Sequence, residues 1–247
     1  MRPTFTLGRI SGIPVGLHWS AVLTALYLAS NLSSSLGGFS LATIVATGYL
    51  ASILVHELAH ALVAQRHRVP VHSITLWLLG GVARLDGEAV TPKAEFQIAA
   101  AGPAASLALG GALLAGSGMG DRFGSFGLVL AWLGVMNLVL GIFNLLPGSP
   151  LDGGRLVKAA LWRRNGDREV AALKAAKAGR VLGWALVLGG LFGVFDGWST
   201  FGPLLIGWFV LCNAKAEQRQ VERVLAARRP AQSPKQPPWQ FRSVIDV

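Results

Sequence analysis

Residues 41–65 form an apolar stretch long enough to cross a bilayer, and it contains His56-Glu57-Leu58-Ala59-His60. A hydrocarbon layer tolerates only backbone whose amides are satisfied within the segment, so this stretch is expected to be a helix. On a helix, His56 and His60 stand one turn apart and project from the same face. Two neutral imidazoles at that spacing suit zinc, and the Glu beside the first can act as general base toward water at the metal. Chance produces these five letters in soluble chains. Inside a membrane an ionisable side chain costs about 2.5–3.5 kcal/mol on insertion scales, so such groups need a partner, and a metal ion supplies one.

Composition agrees with that placement. The 247-residue chain is 52% hydrophobic and 14% charged, with a mean hydropathy of +0.51. Soluble domains carry about 25% charged residues. The expectation is an all-α polytopic membrane protein, a six-helix bundle with spans near 14–32, 41–65, 95–117, 124–147, 179–195 and 199–214. The last two part at a tight turn holding Gly193, Asp196 and Gly197. Arg2 and Arg9 ahead of an apolar run look like a signal sequence. That run is long enough to span, and no small-x-small cleavage site follows, so it reads as an uncleaved first helix.

The net charge of +10 would by itself suggest nucleic acid, but the cations are distributed otherwise. Of the 22 Lys and Arg, all but Arg122 fall in four segments: before the first span, between the second and third, between the fourth and fifth, and after the sixth. Six spans put these four segments on one side, the cytoplasmic one, with both termini there and with no nucleic-acid partner. The single Cys212 excludes an internal disulfide and is read as packing. Residues 1–214 thus form the membrane domain. Residues 215–247 form a basic tail, helical in rhythm to about 229 and linker-like through the Pro-rich stretch 230–238.

A catalytic zinc site usually has three protein ligands plus water. The second span runs inward, so His56 and His60 lie in its cytoplasmic half, and the third ligand should come from the cytoplasmic end of another span. Asp152 fits, just past the inward-running fourth span. Two prolines and three glycines in 144–155 forbid a continued regular helix and suggest a loop presenting one carboxylate to a cavity. Asp86, Glu88 and Glu95 read as solvated loop or span-edge charges. Asp167 and Glu169 lie among basic residues in an exposed loop, and Asp121 and Asp196 fall on the other side.

Together with Leu151-Asp152-Gly153 behind Asn144-Leu145-Leu146-Pro147, the His56–His60 motif resembles the site-2 protease family of intramembrane zinc metalloproteases. Gly12-Ile13-Pro14-Val15, His18-Trp19, Gly80-Gly81-Val82-Ala83, Ala101-Gly102-Pro103-Ala104-Ala105, Gly179-Arg180-Val181 and Ile206-Gly207-Trp208-Phe209 extend the resemblance to its six-span prokaryotic branch, over about residues 5–215. It implies that His56, His60 and Asp152 bind Zn2+, that Glu57 is the catalytic acid and base, and that Asn144 contacts substrate or an oxyanion. The substrates it implies are membrane-anchored proteins with a transmembrane helix, cut in the lipid bilayer of the cell membrane by a site facing the cytoplasm. The paired nucleotide-sensing domains that many six-span members carry, and the inserted PDZ domain of another branch, are not expected in cis.

A helical substrate must unwind before cleavage. Residues 74–85 are apolar, β-prone, broken by Gly80-Gly81 and too short to span. They read as a re-entrant hairpin whose edge, at Gly80, Gly81 and Val82, pairs with substrate; the bland alternative is a loop packed on the bundle. The small residues of 100–106 read as helix packing with a kink at Pro103. His18, His67 and His72 read as interfacial or solvated. Gly179-x-x-x-Gly183 and Gly189-x-x-x-Gly193 fit either a homodimer seam or packing within the chain. Two other functions stay in view. A metal transporter would show polar residues along several spans, and a zincin of another lineage would take Glu88 or Glu95 as its third ligand.

Overall fold

The structure is a computed structural model describing residues 3–78, 80–118, 125–195 and 202–228. The Pro-rich segment 230–238, the turn residues Asp196 and Gly197, and Asp121, Arg122 and Trp198 lie outside the described residues. Strands β1 (Phe5–Ile10) and β2 (Ile13–Leu17) lead into helix α1 (Trp19–Leu32) and the long helix α2 (Phe39–Arg66). A hairpin of β3 (Val71–Trp77) and β4 (Gly80–Leu85) follows. Then come α3 (Pro92–Ser117), α4 (Ser125–Asn144), α5 (Asp152–Asn165), α6 (Arg168–Phe195) and α7 (Gly202–Arg228).

The expected all-α class is corrected by a four-stranded sheet in the order β1-β2-β3-β4. The expected hairpin is the β3–β4 half of it, with Thr75 opposite Val82 and Leu76 opposite Gly81. Strand β2 was hidden because Ile13–Leu17 runs into α1 as one apolar stretch, and apolar content alone cannot part a short buried strand from a helix. β2 pairs in parallel with β3, Val15 opposite Ile74, so the pairing spans the whole of α1 and α2 in sequence. Ile13, Ile74 and Ala61 of α2 are fully buried together, which fastens the sheet to α2 close to His60.

Among the described residues, four helices are long and apolar enough to cross a membrane: α2, α3, α4 and α6. The first expected span falls short because its leading residues are strand, which leaves α1 only 14 residues. The last does not stand out because α7 continues unbroken from its apolar start into polar sequence ending at Arg228. Helix α5 was not foreseen at all, and Cys212 is exposed on α7. Asp167 caps α6 rather than floating in a loop: it accepts from the N–H groups of Val170 and Glu169, which hold its carboxyl below the usual range.

Buried residues of α2, among them Val45, Ser52, Ile53, His56, His60 and Ala64, recur every three or four positions and mark one inward stripe. The outward faces stay apolar: Ile44, Val139, Ile142, Leu188 and Phe192 are at least half exposed. An inward stripe that includes the polar Ser52, His56 and His60, with apolar side chains outward, suits lipid. Where helices meet closely, glycine removes the obstacle. A Cβ at Gly134 would lie 2.7 Å from Leu114 Cγ across α3 and α4, and one at Gly183 would lie 2.7 Å from Leu211 Cγ across α6 and α7. Gly183 is therefore used within the chain.

The tightest approach joins α6 to the segment before α5, where a Cβ at Gly179 would stand 2.0 Å from the Ser149 carbonyl oxygen. Gly179→Ala is expected to cost about 1–3 kcal/mol by overpacking. At Gly111 an added methyl meets nothing within 4 Å, so Gly111→Ala should be neutral or slightly stabilising. Thermal unfolding of the detergent-purified variants checks both.

Candidate metal centre

Helix α2 supplies two of the three convergent groups. His56 and His60 are buried, and their Nε2 atoms lie 3.2 Å apart. The third is Asp152, the first residue of α5, whose Oδ2 lies 3.1 Å from His56 Nε2 and 3.0 Å from His60 Nε2. These are the three residues the sequence singles out, and among the described residues they form the one cluster able to hold a metal ion.

The donor chemistry decides what belongs among them. The Ile98 carbonyl lies 2.6 Å from His60 Nδ1 and can only accept, so that nitrogen carries the ring proton and Nε2 is left as a bare lone pair. Ser106 Oγ, 2.9 Å from His56 Nδ1, can accept in the same way. Two bare nitrogens and a carboxylate oxygen then face one another with no proton donor between them. Zinc bound tetrahedrally at about 2.0–2.1 Å sets its ligand atoms about 3.3 Å apart. The three separations observed are slightly tighter and of the same pattern, so the residues fit the ion.

Helix α3 closes one side of the cluster. Ile98, Gly102 and Ser106 recur every fourth position and form a stripe along α2 that holds each imidazole by its far nitrogen. Between them, a Cβ at Gly102 would stand 2.1 Å from His60 Nε2 and 2.7 Å from His56 Nε2. Only glycine leaves the two nitrogens clear. Beyond helix packing, the small residues of 100–106 thus line the site, and their four-residue interval, matching that of His56 and His60, is the sequence signal for it.

The segment 145–151 brings in Asp152 through backbone contacts. Ser149 N–H donates to the Ala175 carbonyl of α6, and Ser149 Oγ donates to Glu217 of α7. The segment folds back over the first turn of α5, where a Cβ at Gly153 would meet the Leu146 oxygen at 2.2 Å and one at Gly154 the Ser149 nitrogen at 2.4 Å. The two glycines after Asp152 therefore let the loop lie against the helix it starts. Asp152 itself stands on a helix, not on the loop expected.

Glu57 is half-buried on α2 and lies against β4: a Cβ at Gly81 would meet its Cγ at 2.3 Å, and the Ala83 N–H is its backbone partner. A cavity of about 570 Å³ opens beside the cluster and is lined by Glu57, Asn144, Gly80, Gly81 and Val82 together with the three ligating residues. Asn144 ends α4 and donates its amide to the Leu140 carbonyl. Among the described residues, the competing carboxylates are engaged elsewhere. Asp86 faces His72 at 3.6 Å, Glu88 pairs with Arg168, and Glu169 pairs with Arg228 at 2.7 Å. Glu95 is no solvated edge charge; it is 2% exposed, between Arg155 and Lys158. His18 caps α1, and His67 meets Gln97 at 2.7 Å.

Gly102→Ala is expected to remove stoichiometric zinc from purified protein, since the added methyl occupies the space before both nitrogens. Ser106→Ala should retain zinc with about 10–100-fold weaker affinity, as losses of supporting hydrogen bonds do. Metal analysis and chelator competition read the two outcomes.

Comparison with known proteins agrees with this geometry. The family model described as peptidase family M50 matches residues 44–123 and 122–189. Rip3 of Mycobacterium tuberculosis, assigned as a zinc metalloprotease, is 48% identical across 90% of this chain and 60% of its own length. A zinc metalloprotease of Methanocaldococcus jannaschii is 33% identical across 90% of this chain and 62% of its own. The chain thus spans about three fifths of the length of these curated relatives. The solved structure of a site-2 protease from Methanocaldococcus jannaschii superposes with a TM-score of 0.62 at 31% identity, over 87% of this chain and 95% of that one. With both motifs inside the matched region and the fold shared, the chain belongs to peptidase family M50, the site-2 protease family.

Proposed function

We propose that this protein is an intramembrane zinc metalloprotease that hydrolyses peptide bonds in or near the transmembrane segments of membrane-anchored proteins. The observation that carries this reading is the meeting of His56 Nε2, His60 Nε2 and Asp152 Oδ2 beside Glu57 in one cavity. His56, His60 and Asp152 would hold the ion; when bound, zinc polarises a peptide carbonyl and acidifies water. Glu57 takes a proton from the attacking water and returns it to the leaving amine. Its place on α2, one residue after His56, keeps the base at a fixed distance from the ligands. A pure binding site or a transporter has no use for a carboxylate there.

The sheet supports a way of presenting substrate. Among the described residues β4 is the end strand, at one edge of the sheet, and it borders the cavity. A substrate segment unwound from its helix regains hydrogen bonds by adding to that edge at Gly80, Gly81 and Val82. Gly81 has no side chain to push Glu57 away from such a segment. Asn144 lines the same cavity, which supports a contact with substrate or with an oxyanion.

In the bilayer, α1 and the first part of α7 join the four long apolar helices to make six spans, within a membrane domain of residues 1–214 and with the tail 215–247 outside it. The distribution of basic segments supports a cytoplasmic side for both termini and the metal centre. Glu57→Gln should retain zinc and abolish cleavage of a reconstituted transmembrane substrate; continued cleavage would contradict the assigned base. Proline at Val82 or Ala83 should cut cleavage while zinc content stays at the wild-type level, and unchanged cleavage by both would dismiss the edge.

A further inference from the structure

Glu95 is a carboxylate the metal centre does not use, yet it is among the most deeply buried charged groups of the chain. It stands on the first turn of α3 with its side chain 3% exposed. Its Oε1 accepts from Arg155 Nε at 3.1 Å and from Lys158 Nζ at 2.8 Å. Both cations belong to α5. Arg155 follows Asp152 by three residues and Lys158 follows Arg155 by three, so one oxygen of α3 grips α5 on two successive turns.

The same part of α3 orients the imidazoles. Ile98, whose carbonyl accepts from His60 Nδ1, lies one turn after Glu95, and Gly102 lies one turn further on. Helix α3 therefore sets the histidines with its next turns and the aspartate-bearing helix with its first. One cation would suffice to neutralise Glu95. Two, on successive turns of one helix, also fix how that helix is rotated and how far it is advanced. A buried ionic group acts more readily through such specificity than through net stability. Ligand distances tolerate only about 0.2 Å, so a small slide of α5 would take Asp152 out of reach of the histidines.

We infer that Glu95, through Arg155 and Lys158, is a positioning residue of the metal centre that fixes α5 so that Asp152 reaches both histidines. This rests on the metal reading above, and the test separates the two. Zinc affinity is measured by chelator competition on detergent-purified protein for wild type, Glu95→Gln, Asp152→Asn and the double variant. Asp152→Asn should weaken zinc strongly. Glu95→Gln should weaken it about 10–100-fold when Asp152 is present, and should add nothing in the Asp152→Asn background, because the clamp acts only through that carboxylate. The visible absorption of the cobalt-substituted protein should shift in Glu95→Gln and not in Gly111→Ala. A general loss of packing would weaken both backgrounds alike, and that outcome, or wild-type affinity in Glu95→Gln, overturns the inference while leaving the metal reading standing. If Glu95→Gln does not fold, Lys158→Gln keeps the Arg155 pair and carries the same cycle: a smaller loss, absent without Asp152, supports the clamp, and wild-type affinity overturns it. Unchanged zinc binding in Asp152→Asn overturns the metal reading and the clamp together.

Discussion

Two imidazole nitrogens and a carboxylate oxygen meet within 3.2 Å inside a bundle whose outer surface is apolar. Polar groups so placed are costly unless paired, and these three are all acceptors once the ring protons are spent on Ile98 and Ser106. The surrounding architecture follows from keeping them together. Helix α2 fixes two of them by its own pitch. Helix α3 runs alongside with a matching four-residue stripe that orients the rings and, at Gly102, makes room for an ion. Helix α5 exists in this position to bring up the third.

Backbone contact does much of the work that side chains do in soluble metal sites. Gly81 lies against Glu57, Gly102 against both histidines, Gly153 and Gly154 against the preceding loop, and Gly179 against Ser149. Each brings main chain where a methyl group would intrude. This is consistent with membrane bundles, in which close packing and hydrogen bonds replace the hydrophobic drive between helices. It also explains why the loop before Asp152 is rich in glycine and proline. The loop must leave α4, pass between α5, α6 and α7, and restart a helix at the ligand itself.

The motif was legible because its information is local. The spacing of His56 and His60 needs only helix pitch, and Asp152 was reached from the charge map and from the helix-breaking residues around it. The β3–β4 hairpin was legible for the same reason, since Gly80-Gly81 breaks a short β-prone run. What failed was non-local. β2 becomes a strand only by pairing with β3, on the far side of two helices. Glu95 looked like a span-edge charge because the cations that hold it lie about sixty residues later, on a helix that the sequence alone did not reveal. Gly102 and Ser106 were visible as small residues, but their distance from the imidazoles was not. The expected last span and tail helix proved to be the single helix α7, because polarity changes along it without a helix-breaking residue.

The metal centre is defined by the identity of the atoms around the ion. X-ray absorption at the zinc edge of the purified, zinc-loaded protein measures them directly. The structure calls for two imidazole nitrogens and carboxylate oxygen at about 2.0–2.1 Å, in a four-coordinate shell with one further light atom and no sulfur. A sulfur scatterer at about 2.3 Å, a six-oxygen shell or a single imidazole would contradict it.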